Sequence, residues 1–416
     1  MTHRLHRGAI CGLLLAWILP AGLSMAQGEA KQETAAAGIY AGARIDPALA
    51  ADWMKRWKEN VLSDSKTRFC DKEMGEGIGW RVAPFLNAYY YGYRATGDRE
   101  WIDRLIDWSD TMIKRGVKEP DGYLGWPWEI VGLSQDAEEI YHTDNELGEA
   151  MMLAPMVKMA AEILKTPALK EQYGAKATEY LRLSERQFEK WNARGAWREV
   201  QEGGVWVVPV FGIIRETTQW GYLPKSNDCF TLPNNMQNLI GEWVLAMYDA
   251  THKPIYRELA EKWWSVMKSR MRLRDDGKYC VWNYWDPAGP WDHKPDGSLK
   301  LWQGVHPNGG YYSADVGGIV AAYEHGLVFT KEEIGRLIAT NRDFMWNRQI
   351  EHARFQRIDG EKPEPDKTPG VLWGALAPYD ATLWKIFVAN FDPGSWGGMD
   401  APDWIARFGG TPGAAK

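Results

Sequence analysis

The chain is poor in the features that would mark several common classes. It has four cysteines in 416 residues. Cys11 falls in the N-terminal leader, so Cys70, Cys229 and Cys280 remain, an odd set without metal-type spacing. At most one disulfide can form within the chain, which excludes a disulfide scaffold. Basic charge is not in excess: 49 Lys and Arg stand against 55 Asp and Glu, a net charge of −6, which argues against a broad nucleic-acid-binding face. The only long apolar run, Ile10 to Leu19, is too short to span a bilayer. The motifs H-E-x-x-H, G-x-S-x-G and the Walker loop are all missing, and no H-x-H pair offers a zinc site. Gly75-Glu76-Gly77-Ile78-Gly79 resembles a dinucleotide loop only superficially, because no strand precedes it. Neither a metal nor a redox cofactor is implied.

What is abundant is aromatic: 24 Trp, 18 Tyr and 11 Phe. Such a content suits a large helical core or a cleft paved for sugars, with most rings in the core. Residues 1–26 read as a signal peptide. Arg4 and Arg7 form its basic region, and Ser24-Met25-Ala26 is a small-x-small cleavage site. The expected location is therefore secreted or periplasmic, with no membrane span. Residues 27–45 read as a flexible lead and 46–416 as one catalytic domain, expected to be a monomer.

Long amphipathic helices in pairs dominate the remainder. Asp46 to Leu62 is a first helix, with Asp46 as cap and Pro47 behind it. Asn87 to Ile113 and Trp243 to Met271 both run helix, turn, helix. Their turns match, Tyr93-Arg94-Ala95-Thr96 against Tyr248-Asp249-Ala250-Thr251, and Met151–Trp191 and Val320–Trp346 are looser copies. Self-similar hairpins indicate a helical array. The fold expected is mainly all-α, an α/α toroid of helical hairpins with aromatic-rich loop insertions. Three stretches, Lys118–Ile140, Glu199–Cys229 and Asp275–His306, are too long for plain connections. On one face they would bring Trp126, Trp128, Trp220, Tyr222, Trp282, Tyr284, Trp285 and Trp291 around one mouth. The alternative is a small β subdomain, for which Gly204–Ile214 reads as a strand.

Four expected inner helices open on polar residues: Gly79-Trp80-Arg81, His142 to Glu146, Leu232 to Asn238, and His306 to Tyr312. Stacked alike, these ends converge, and their unpaired N–H groups favour an anionic ligand. Asn235, Asn238 and Glu242 share one stripe of the third helix, which must face partners or a wet cavity unless Asn234 is only a cap beside a satisfied core amide. His142, Glu146 and Glu149 share a face of the second, where Asp144 is also a cap candidate. Of the adjacent Tyr311 and Tyr312, one must be core, because neighbouring helical residues point apart.

A leader, a helical toroid, Asn-Asn opening an inner helix and a His ahead of Gly-Gly-Tyr-Tyr together resemble the toroidal polysaccharide lyases acting on uronic acid polymers. Among these the chain is most similar to polysaccharide lyase family thirty-eight, the glucuronan and alginate lyases. It departs from alginate lyases with an Asn-His pair, since Asn235 is followed by Met236. The resemblance implies β-elimination at a 4-linked uronate in an acidic polysaccharide, without a cofactor. Asn235, helped by Asn234 or Arg81, would neutralise the carboxylate, and Tyr312 would transfer protons, with His306 and His142 as alternative bases. Asn238, Glu146, Trp128, Trp220, Tyr222, Trp285 and Tyr311 would bind substrate. Two other functions are compatible: a glycoside hydrolase with two carboxylates among Asp144, Glu146, Glu242 and Asp315, and a non-catalytic glycan binder.

Overall fold

In a computed structural model of the chain, the described residues are 38–409 apart from 120, 132–139, 209–210, 215–218, 223–228 and 362–369. The expected leader lies outside them. Among the described residues no helix is long and apolar enough to cross a membrane.

The fold is a helical toroid, as the hairpin repeats indicated. Its α-helices are α1 (Pro47–Asp64), α2 (Ala83–Thr96), α3 (Glu100–Arg115), α4 (Glu146–Lys165), α5 (Pro167–Ala193), α6 (Asn234–Thr251), α7 (Pro254–Arg270), α8 (Gly309–Glu324), α9 (Lys331–Ala339), α10 (Ala381–Asn390) and α11 (Ala401–Phe408). Helices α2, α4, α6 and α8 pack side by side as the inner wall, and α2, α4 and α6 are each backed by the helix that follows in the chain. A 3-10 segment, Gly374–Tyr379, packs beside α8, with α10 against it. Trp384 and Phe387 of α10 then meet Trp404 and Phe408 of α11. Since α11 packs on both α2 and α1, the ring closes. The Ile45 N–H bonds to the Phe408 carbonyl at 2.8 Å, joining the first described segment to the last helix. The lead expected to be flexible is thus docked at its end, where Ala43 and Ile45 are buried.

The local chemistry of the repeat is visible in two turns. Thr96 and Thr251 each return a hydroxyl to a carbonyl one turn back, Gly92 at 2.7 Å and Met247 at 2.6 Å. The next residue, Gly97 in one case and His252 in the other, turns left-handed with φ of 70° and 55°, and its N–H caps Tyr93 or Tyr248 at 2.7 Å. Pro254 then starts α7 where a missing N–H costs nothing. At the first helix Asp46 accepts from the Ala48 and Leu49 N–H groups, as expected of its cap.

The long insertions join the end of an outer helix to the start of the next inner one, so they lie at the N-terminal end of the inner helices. They carry short antiparallel strands: β1 (Val117–Lys118) and β2 (Leu124–Gly125) pair; β3 (Trp128–Val131), β4 (Ile140–Thr143), β7 (Phe211–Ile214) and β8 (Gln219–Tyr222) form one sheet. A second sheet joins β5 (Trp197–Val200), β6 (Gly203–Val208) and β9 (Phe230–Thr231), and β10 (Arg272–Leu273) pairs with β11 (Cys280–Val281). Gly204–Ile214, read as a strand, contributes to β6 and β7, which belong to different sheets. Most tryptophans are core, with Trp53, Trp57, Trp243, Trp263 and Trp264 among the largest fully buried side chains. Each contributes on the order of 3 kcal/mol through its buried apolar area.

Candidate functional site

The predicted convergence of helix openings occurs. Gly148, in the first turn of α4, packs on the loop before α2: a Cβ there would stand 2.3 Å from the Gly75 carbonyl oxygen and 3.2 Å from the Glu76 Cα. Asn234, first residue of α6, donates its N–H to the Tyr284 carbonyl at 3.1 Å. Tyr284 in turn stacks on Tyr311 of α8 at 5.2 Å and lies 4.8 Å from the His306 ring, itself 4.7 Å from Tyr311. Segments ahead of or within α2, α4, α6 and α8 therefore meet in one mouth.

The segments that meet here carry two carboxyl groups in contrasting surroundings. Glu146, first residue of α4, is buried, its Oε2 has no hydrogen-bond partner, and burial, followed by the charge of Glu149, pushes its pKa well above the usual carboxylate range. Glu76 is half-buried, and its Oε1 accepts the indole N–H of the exposed Trp80 at 2.7 Å. Two more buried polar atoms at this end lack partners, Asn235 Oδ1 and Trp128 Nε1. Trp128 packs against Gly75, whose φ of 52° and missing side chain make room for the ring, since a Cβ there would stand 2.2 Å from it. Buried polar groups are normally satisfied, so three orphans at one mouth mark a place built for something else to bind.

His306 presents a defined face. Its Nδ1 accepts the Asn308 backbone N–H at 3.0 Å, which leaves the hydrogen of a neutral ring on Nε2. Burial, then Arg357, lowers its pKa, favouring that neutral form. Trp302, half exposed, edges the same ring at 6.4 Å.

Several expected roles require correction. Tyr312 does not reach the mouth: it is 3% exposed, its hydroxyl accepts the His306 backbone N–H at 2.9 Å, and burial raises its pKa, so it is a structural group rather than a proton carrier. Trp285 is fully buried and donates to the Thr231 carbonyl at 2.7 Å, so it is no sugar platform. Trp126 and Trp282 are likewise core. Asn238 is sealed between Asp315, Trp263 and Trp264, bonded at 2.9, 2.9 and 3.0 Å. Asn234 is spent on Arg270 at 2.6 Å and the Asn283 carbonyl at 2.9 Å, and the α6 cap position is Pro233. Arg81 is exposed and paired with Glu73 at 3.1 Å. His142 stands in β4 opposite Glu129 and Ile213, and Trp220 and Tyr222 stand in β8; their side chains lie outside what is described.

The four hydrolase carboxylates sort in the same way. Asp144 is not the α4 cap, a role held by Asn145; it belongs to a buried cluster in which Lys190 bonds Asp144 and Glu149 at 2.6 Å and Arg194 bonds Glu119 at 2.6 Å. Asp315 accepts from Asn238 and from the Trp282 indole at 2.8 Å, and burial lifts it to about 7. Glu242 lines a cavity along the barrel axis, away from the mouth. Glu146 alone opens an inner helix at the mouth. Glu76 and Trp302 were not singled out from the sequence. The available signal for Glu76 was an acid set between glycines four residues before an indole, in the loop set aside as dinucleotide-like. Among the described residues, no cluster of three or more His, Cys, Asp or Glu is placed to hold a metal.

No family model matches the chain, and no curated protein does. A solved structure similar to it is an inactive variant of an alpha-1,6-mannanase from Salegentibacter sp. HEL1_6, in complex with alpha-1,6-mannotriose. That likeness has 10% identity, 87% coverage of this chain, 99% of that chain and a TM-score of 0.44. The carbon–oxygen lyase class expected from the sequence is corrected: Tyr312, the proton carrier favoured for elimination, is buried with its hydroxyl engaged by the His306 backbone N–H.

Proposed function

We propose that this chain is a glycoside hydrolase working at the mouth, with Glu146 as general acid and Glu76 as its carboxylate partner. The observation that supports it is the contrast between these groups on backbones in contact: one carboxyl is buried with an unpartnered oxygen and a pKa raised by that burial, the other is half open beside Trp80. Paired carboxyls whose environments differ divide the acid and base roles of glycoside cleavage. Glu146 gives its proton to the glycosidic oxygen as the bond to the anomeric carbon breaks. Glu76 takes a proton from the water whose oxygen bonds to that carbon as positive charge develops there, so the water supplies the new hydroxyl. The hydrogen bonds of Glu146 to substrate form in the complex, for which its Oε2 is unspent. Trp80, Trp302, Tyr284 and Tyr311 offer ring faces to sugar C–H groups, and His306 Nε2–H offers a donor.

The test is a panel of neutral and acidic glycans, followed by reducing ends and by the ultraviolet absorbance of unsaturated ends. Reducing ends without absorbance are expected, and Glu76→Gln and Glu146→Gln should each lose at least ~100-fold in turnover while melting near wild type. Absence of new reducing ends across the panel, or full activity in both variants, overturns the assignment.

A further inference from the structure

A cavity of about 670 Å³ runs along the barrel axis and reaches the end where the inner helices finish. Tyr91 of α2, Lys158 of α4, Glu242 of α6, Gly317 of α8, Phe387 of α10, Trp404 of α11 and Asp400, the residue just before α11, all line it. Its rim is tied off: His325 meets Asp249 at 3.1 Å and Arg407 meets Glu324 at 3.0 Å. The groups further in are not. Lys158 acts on Glu242 and Asp403 only through its charge, without a hydrogen bond or ion pair to a described residue, and among the described residues neither the Tyr91 hydroxyl nor the Glu242 carboxyl has a hydrogen-bond partner. Asp400 accepts the Trp404 indole N–H at 2.8 Å through one oxygen, while its Oδ1 is buried and unpartnered.

The mixture of these unspent groups selects a ligand class. A metal ion or an ammonium ligand would want acceptors alone, and an anion donors alone. Here three donor hydrogens of one ammonium, a hydroxyl serving in either sense and two carboxyl acceptors share a cavity with the Trp404 and Phe387 rings, 4.4 Å apart. Hydroxyls that both donate and accept, on a ring with an apolar face, fit that set. We propose that the axial cavity is a second carbohydrate site, taking a short neutral saccharide, distinct from the mouth and independent of whether the mouth hydrolyses glycans.

Gly317 gives a clean probe. A Cβ on it would meet nothing nearer than Glu242 Oε1 at 4.0 Å, so a longer side chain grows into the cavity. Calorimetric titration of a Glu76→Gln, Glu146→Gln background with cellotriose, maltotriose and mannotriose should show at least one bound. Gly317→Leu and Lys158→Met, each added to that background, should weaken it at least tenfold. With the mouth intact, Gly317→Leu should keep turnover within twofold. If Gly317→Leu fails to fold, Lys158→Met decides. Binding untouched by the folded variants, binding of none of the three sugars, or binding of spermidine, citrate or calcium in their place overturns the proposal.

Discussion

Gly148 rests on the carbonyl oxygen of Gly75, so close that a Cβ would come to 2.3 Å. This contact fixes the start of α4 against the loop carrying Glu76, and with it the relation of the two mouth carboxyls. The colliding atom is backbone and cannot swing away. Gly148→Ala should therefore destabilise the fold by roughly 1–3 kcal/mol and lower turnover more than the melting shift explains. Calorimetry and reducing-end assays on the same preparation check this.

Tyr312→Phe keeps the ring among Trp282 and its neighbours and removes only the hydroxyl that accepts the His306 N–H. The expected cost is about 1 kcal/mol of stability, with turnover within tenfold of wild type. A loss of ~100-fold with an unchanged melting curve would return the hydroxyl to the mechanism.

Trp302→Ala removes a half-exposed ring edging His306 and leaves the buried framework intact. Its expected effect is on polymer binding: KM should rise several-fold, with stacking worth about 1 kcal/mol, and kcat should stay near wild type. Steady-state kinetics on a long and a short glycan read the split.

Asp315 sets a pH dependence of stability. Its ordinary pKa of 3.8 is raised to about 7 by burial, so between these values the folded chain holds a proton that the unfolded chain has lost. Its contribution is complete below about pH 4 and declines as pH rises to 7, by an amount on the order of 4 kcal/mol. Melting temperatures from pH 4.5 to 7.5 should show a shallower slope in Asp315→Asn than in wild type.

Lys190→Met tests the buried cluster behind α4. Without the ammonium, Asp144 and Glu149 lose bonds of 2.6 Å, and Glu119, 3.6 Å away, loses a neighbour. Removal of one partner from a sealed ion group costs about 3–5 kcal/mol. Denaturant titration should show that loss.

The toroid was readable from one dimension because its causes are local. The Thr96 and Thr251 turns, the Asp46 cap and the apolar helix faces each depend on neighbours a few residues away. The convergence of helix openings followed from stacking like hairpins. What remained hidden was the direction of each polar side chain once neighbouring elements arrived. Asn235, Asn238 and Glu242 form one stripe in sequence, yet Asn238 is consumed by Asp315 and two indoles, Glu242 lines the axial cavity, and Asn235 keeps an unpartnered oxygen. Asp144 reads as a cap until Lys190 and Arg194, 46 and 50 residues later in the numbering, take it into an ion cluster. Helical periodicity decides which residues share a face. Only the packed barrel decides whether that face meets a partner, a cavity or solvent, because burial and hydrogen-bond satisfaction are set by atoms distant in the chain.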